Sequence, residues 1–358
     1  MALKKAVRDE VRVTGPVDRG VWRRVLASDP DAVPSQAPEW IDALCSTGRY
    51  RDASLQYETA NGRLAVLPMV ARTGWWAPPG GARDSMPPAW GFGGPLVEDG
   101  TDRELLAAVA TDLATHPRLR VHLRPNPLHA ELWAAAMTGL PHVTTKPARA
   151  HVLDLAGGFD VVWRDRFKPT TRTQVRKAER LGVEIETDTT GRLVPVFHQL
   201  LRRSVDRWAA QQHEPRALAQ WRLARRDPVD KLLAVAHSLG EACRTSIAWY
   251  GGRPAAGIIV LRGRNAHFTR AAMDKEISGP TRASSLLQKV AIEEACAAGC
   301  GKYHMGESST GSGVSDFKDR FGAQAYPYQE YIFESLPLSS ADQVARTAVK
   351  RAIGFRDA

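Results

Sequence analysis

Residues 243–273, CRTSIAWYGGRPAAGIIVLRGRNAHFTRAAM, carry the pattern from which the fold can be read. Three strand-forming runs are separated by Gly251-Gly252 and by Gly263-Arg264-Asn265, turn signals that fold such runs into an antiparallel meander. The next stretch, TRASSLLQKVAIEEACAAGC (281–300), sets Leu286, Leu287, Val290 and Ala291 on one helical face, and Gly299 and Gly301 end the helix. A strand, KYHMG (302–306), follows. Upstream, TTRTQVRKAERLG (170–182) reads as a helix with Val175, Ala178 and Leu181 facing inward and Gly182 closing it, before a strand at VEIET. Further helices are expected around 193–212 and 228–239. Two or more helices, a meander, a helix and a strand make an α+β layout.

The first half repeats the theme. Residues 20–50 read as helical, with Trp40, Ile41 and Leu44 of PSQAPEWIDAL at helical spacing, and GRLAVLPMVART (62–73) reads as a strand. WWAPPGGARDSMPPAWGFGGPLVEDG (75–100) is a long Gly/Pro/Trp loop, a length that usually marks function or disorder. A helix over about 102–115 and a strand at LRVHLRP close this half. A chain of 358 residues with 43% hydrophobic content exceeds the ~250–300 residues at which single cores split, so two domains are expected.

No run of 18 apolar residues occurs, and the N-terminus MALKKAVRDEVRV lacks an apolar h-region, so the reading is a cytoplasmic protein without a membrane span. Four cysteines, Cys45, Cys243, Cys296 and Cys300, have no CxxC or zinc-ligand spacing, which predicts buried, unreactive thiols, no disulfide framework and no metal site. The net charge of +10 is concentrated: residues 161–226 hold 15 Lys plus Arg against 7 Asp plus Glu. Arg172, Arg176 and Arg180 recur at i, i+4 and i+8 with Lys177 beside them, one basic stripe on a helix suited to phosphates. Arg202, Arg203, Arg207, Arg222, Arg225 and Arg226 then alternate with Trp208 and Trp221, a mixture that serves single-stranded RNA ends.

The order RTQVRKAERLGVEIE, GIIVLRGRNAHFTRAAMDKE, a helix, YHMGES and DFKDRFGAQ resembles the FemABX family of aminoacyl-tRNA-dependent peptidyltransferases, built from two GNAT-like domains. PSQAPEW and WGFGGPL carry the likeness in the first half. The resemblance implies an α+β fold with domains at 1–155 and 156–325, and a segment 326–358 returning to the first. It implies transfer of an amino acid from charged tRNA to the amine of a small molecule or peptide. Antibiotic biosynthesis or cell-wall precursor modification would be the setting, with no cofactor beyond the aminoacyl-tRNA. The stripe and the Trp/Arg patch would then bind tRNA. The acceptor is expected between the loop of residues 75–95 and the second domain, with Trp75, Trp76, Trp90 and Phe92 as its contacts.

Residues 306–324, GESSTGSGVSDFKDRFGAQ, bracket Lys318 between Phe317 and Phe321 just after a Gly/Ser loop. From the residues alone this reads as a loop and a turn with Lys318 in water. The resemblance instead implies that Phe317 and Lys318 lie in the catalytic cleft, where an ammonium would stabilise the oxyanion of aminolysis. Asp316, Glu307 and His304 are neighbours that could act as a base, though each also reads as an ordinary loop or core-edge residue, and Asp274-Lys275-Glu276 reads as a solvated turn. Two other functions remain open. An acyl-CoA N-acyltransferase needs a Gly-rich turn to cradle pyrophosphate, whereas KEISGPTRASS has one Gly and a Pro280 without N–H. A non-catalytic nucleic-acid-binding module would not need the Phe-Lys element.

Overall fold

The computed structural model describes residues 11–74, 82–87, 91–115 and 119–336, with Ser339, Val344, Thr347, Ala348, Arg351 and Phe355 beyond them. They divide into two units, one running to Ala150 and taking in residues 326–336, the other spanning 151–325.

In the first unit, β1 (Val11–Thr14) is followed by α1 (Arg19–Ser28) and α2 (Pro38–Ser46). The expected single helical region is broken here because α1 ends at Asp29, just before Pro30, and a new start needs Pro38 at a first-turn position. Next come β2 (Tyr50–Asp52), β3 (Leu55–Thr59), β4 (Leu64–Leu67), β5 (Val70–Arg72), β6 (Ala82–Asp84), β7 (Leu96–Val97), α3 (Arg103–Thr115), β8 (Arg120–Leu123) and α4 (Ala130–Ala136). The run predicted as one strand over 62–73 is two, because Pro68 cannot donate to a ladder: β4 joins the order β1-β3-β4-β7, while β5 pairs with β2 and β6.

The two motifs of this unit are bonded to each other. Ser35 Oγ donates to the Phe92 carbonyl at 3.0 Å and Gln36 Nε2 to the Gly94 carbonyl at 3.1 Å. Gly93 is required there, since a Cβ would lie 2.6 Å from Ser85 Oγ. PSQ and GFGG are therefore a structural clasp.

Several strands were not legible: β1, β2 and β3, the short β6 and β7 inside the run read as a loop over 75–100, and the two long strands β9 (Val143–Asp154) and β15 (Gln324–Glu334). Between them the second unit contains α5 (Pro169–Arg180), β10 (Glu184–Asp188), α6 (Val194–Gln211), α7 (Arg216–Arg226), α8 (Val229–Leu239), β11 (Cys243–Tyr250), β12 (Arg253–Leu261), β13 (Ala266–Met273), α9 (Lys275–Thr281), α10 (Ala283–Ala297), β14 (Lys302–Glu307) and α11 (Gly313–Arg320). Strand order is β10-β11-β12-β13-β14, antiparallel except for the parallel pair β13/β14 that α10 connects.

The continuous apolar run of β12 is explained by burial on both faces. Ile258 and Val260 share a core with Val175 and Ala178 of α5 and with Leu286, Leu287 and Ala291 of α10. On the other face a Cβ at Gly257 would lie 2.9 Å from Phe197, so glycine lets α6 approach. Thr171, not Leu181, completes the buried side of α5; Leu181 is exposed because it sits where the helix has already ended. All four cysteines are free, and burial pushes Cys243 up to about 12, which leaves it an inert thiol. Among the described residues no helix is long and apolar enough to cross a membrane, and no cluster of side chains could hold a metal ion.

The first unit also buries an ion cluster. Tyr331–Glu334 of β15 pair with β8, and Glu330, 2% exposed, meets Arg124 at 2.9 Å, His122 at 3.1 Å and Lys146 at 3.0 Å. Burial works against the Glu330 carboxylate, but the His122 hydrogen bond and the charges of Arg124, His122 and Lys146 outweigh it and hold the group well below the usual carboxylate range. Burial likewise opposes the His122 imidazolium, and bonds to Asp84 and Glu330 raise its pKa nonetheless. The Glu330 contribution is present above its unfolded pKa and lost as pH falls through the depressed one; the His122 contribution is present below about pH 6.5 and lost as pH rises through the raised one. Glu330→Gln, which strands three cations around a neutral amide, should cost about 3 kcal/mol in denaturant unfolding at pH 6. A loss below about 1 kcal/mol would show that the cluster adds little.

Candidate functional site

The N-terminus of α11 is set by Ser312, whose Oγ accepts from the Ser315 N–H at 3.2 Å. From that start, Ser315, Lys318 and Asp319 fall at i, i+3 and i+4 on one face of the helix. Behind the helix, Phe321 stands edge-on to Phe167 at 4.9 Å and packs on Phe317 at 4.9 Å. Gly322, at φ +83°, lets the chain pass the Arg166 carbonyl, 2.5 Å from where a Cβ would be. The FG of this motif thus seats α11 against the segment before α5.

Lys318 does not point to water. It is 2% exposed, and its Nζ donates to the carbonyls of Gly306 at 2.9 Å and Glu307 at 2.8 Å. Burial lowers its pKa to about 8, against the opposing charges of Glu307 and Asp319. Phe317 is half-buried and belongs to the apolar core of the unit.

On the same face of α11 lies His151, fully buried on β9, a residue that sequence reasoning missed. Its Nδ1 is 3.2 Å from Ser308 Oγ, and its Nε2 is 3.3 Å from both Ser315 Oγ and Asp319 Oδ1. The only local sign was a histidine inside the apolar run ARAHVLDL. Of the three neighbours considered as bases, His304 is fully buried beside His267 with ring centroids 6.3 Å apart, while Glu307 and Asp316 are exposed. Asp274 caps α9 by accepting from the Glu276 N–H, so the Asp-Lys-Glu run is a helix start.

The basic residues divide into two groups. Arg176, Lys177 and Arg180 are exposed along α5. Arg172 turns back onto the carbonyls of Trp163, Arg164 and Phe167, where it closes the preceding short helix. In the Trp/Arg patch, Arg203 bonds Asp274 at 2.9 Å, Arg207 the Met273 carbonyl at 3.1 Å and Arg226 Asp227 at 2.9 Å, while Arg222 bonds Glu214. Arg202 approaches Gln220 at 3.4 Å, and Arg225 stacks 4.8 Å over exposed Trp221. Trp75, Trp76 and Trp90 lie outside the described residues. Phe92 is 2% exposed and packs edge-on against Tyr328.

The turn opening α10 is closed from within. Arg282 adopts φ +61° and the Ser284 N–H donates to Ser278 Oγ at 3.2 Å, so an amide that could face a pyrophosphate is already taken. An open groove of about 510 Å³ lies elsewhere, lined by Gly182, Glu184, Glu186, Trp249, Gly251 and Gly252, with Glu186 paired to Arg192 at 2.7 Å.

Residues 165–319 match the family described as an acetyltransferase (GNAT) domain. No curated protein matches the sequence significantly. Among solved structures, FemX is similar over 90% of this chain and 97% of its own, with TM-score 0.66 and 10% identity. A conserved protein of unknown function from Bacteroides thetaiotaomicron is similar over 89% and 97%, with TM-score 0.54 and 10% identity. The C-terminal DUF2156 domain of a protein assigned as a lysylphosphatidylglycerol synthetase, from Agrobacterium fabrum, is similar over 92% and 96%, with TM-score 0.51 and 13% identity. The chain therefore has a FemABX-like fold of two GNAT-like units, each a mixed, mostly antiparallel sheet flanked by helices.

The buried ammonium gives a prediction of definite sign. Because the folded pKa of Lys318 is about 8 and the free value 10.5, the unfolded chain binds more protons between those values, and stability rises with pH across that window. Relative to Lys318→Met, the wild type should gain about 2 kcal/mol between pH 7.5 and 9.5 in denaturant unfolding. Equal slopes for the two proteins would mean that Lys318 titrates as a solvated lysine.

Proposed function

We propose that the protein is an aminoacyltransferase that moves an amino acid from charged tRNA to the amine of a small molecule or peptide, forming an amide. The observation that carries this reading is the buried Lys318 ammonium at the edge of the Gly/Ser loop, held there by the Gly306 and Glu307 carbonyls; in this reading its charge stabilises the oxyanion that develops in aminolysis. The fold shared with FemX supports the donor class, and the exposed Arg176, Lys177 and Arg180 supply contacts for RNA phosphates. In this reading the charged tRNA is the only co-substrate, the reaction takes place in the cytoplasm, and the acceptor belongs to antibiotic or cell-wall chemistry. Trp75, Trp76 and Trp90 keep their proposed role toward the acceptor; the buried Phe92 would act through the clasp that holds the loop.

A second reading, N-acyl transfer from an acyl-CoA, is favoured by the match of residues 165–319 to an acetyltransferase domain. The occupied Ser284 amide and Pro280 argue against it.

Donor identity decides between them. In a mixture of amino acid, ATP, synthetase, tRNA and amine acceptor, product formation should vanish on RNase treatment, and acetyl-CoA should neither replace the tRNA nor raise the melting temperature. Replacing Arg176, Lys177 and Arg180 together by Glu should lower the salt slope of tRNA binding by about 0.7–0.9 per lost contact and leave folding intact. RNase-resistant transfer with saturable stabilisation by CoA would establish the second reading.

A further inference from the structure

The groups around His151 do more than fasten a loop. Asp319 Oδ1 lies 3.3 Å from Nε2, and because a carboxylate can only accept, this contact favours the tautomer with the ring proton on Nε2. In that tautomer Nδ1 accepts from the Ser308 hydroxyl at 3.2 Å. That is the relation of a nucleophile to its base, with the base oriented by a third group. Two serines touch the ring, and burial distinguishes them: Ser315 is 2% exposed and closed off, whereas Ser308 is half-buried on the loop. Ser309 and Thr310 beside it are small and exposed, and Gly306 and Gly311, at φ +72° and +71°, bend the loop around it. The Lys318 ammonium holds the two carbonyls that immediately precede Ser308.

We propose that Ser308 is an acyl-accepting nucleophile activated by His151 and Asp319, so that transfer passes through an acyl-serine ester. The proposal rests on the reading of this unit as an acyltransferase and holds for an ester or a thioester donor. In the first step Ser308 Oγ forms a bond to the acyl carbon as its proton passes to His151 Nδ1. The bond from the acyl carbon to the donor oxygen or sulfur breaks, and that atom takes the proton from the imidazolium. In the second step the acceptor amine bonds to the acyl carbon, the bond to Ser308 Oγ breaks, and the amine proton returns through His151 to the serine. No redox partner is needed. Asp319 stabilises the imidazolium in both steps, and the Lys318 charge favours the oxyanion.

The test needs no knowledge of the natural donor. The full chain is treated with p-nitrophenyl acetate, quenched in acid and analysed by intact mass and peptide mapping. The expected result is one acetyl group on Ser308, removed by alkaline hydroxylamine as an ester. It should be absent in Ser308→Ala, retained in Ser309→Ala, and formed at least about 10²-fold more slowly in Asp319→Asn, with melting temperatures read for each variant. Acetyl groups found only as hydroxylamine-stable amides on lysines would overturn the proposal. So would full amide-forming activity in a folded Ser308→Ala, or an Asp319→Asn that labels at the wild-type rate. Labelling of Ser308 in a protein that proves indifferent to tRNA would refute the donor assignment and leave the nucleophile standing.

Discussion

The second unit depends on one desolvated cation. An ammonium taken out of water costs several kcal/mol unless acceptors replace its hydration, and Lys318 finds them in the Gly306 and Glu307 carbonyls. Those two bonds fix where β14 stops and the loop begins. Ser308 follows directly, which brings its hydroxyl onto His151. Everything that seats α11 therefore also sets the loop: the Ser312 cap, the packing of Phe317 and Phe321, and the glycine that passes the Arg166 carbonyl. The Phe-Lys-x-x-Phe-Gly pattern has its physical reason in this division of labour, with aromatics as anchor, lysine as clamp and glycine as clearance.

Elements whose cause is local were readable. The meander announced itself through its glycine turns, and α10 through its apolar face and terminal glycines. Elements whose cause is distant were not. β15 exists because Tyr331–Glu334 find β8 some two hundred positions back in the chain, and nothing in its own residues says so. Pro68 was visible and underweighted, since a strand that must change sheets looks in sequence like one strand. The site divides in the same way. Lys318 drew attention as a charge between aromatics, whereas His151 meets Ser308 and Ser315 across 157 and 164 positions and has no signature of its own.

Net charge overstated the basic surface. Within residues 161–226 many guanidinium groups have internal work: Arg172 closes a helix end, and Arg203, Arg222 and Arg226 neutralise carboxylates. Asp227 collects Arg226, Lys231 and Arg270 at once, a buried carboxylate that consumes local positive charge. What remains exposed on α5 is a short cationic edge of Arg176, Lys177 and Arg180.

Buried polar networks break the rule that interiors are apolar, and they do so for two different reasons. The Glu330 cluster is the structural kind: the carboxylate is 2% exposed, Arg124 is 5% exposed, and the groups compensate one another within the fold. Lys146 reaches that carboxylate from the surface, its side chain 64% exposed. The His151 cluster has the same buried centre but open ends, with Ser308 half-buried and the Asp319 side chain 37% exposed. His151 meets a half-buried hydroxyl on one side and a partly exposed carboxylate on the other, the geometry on which the proposed proton transfer from Ser308 rests.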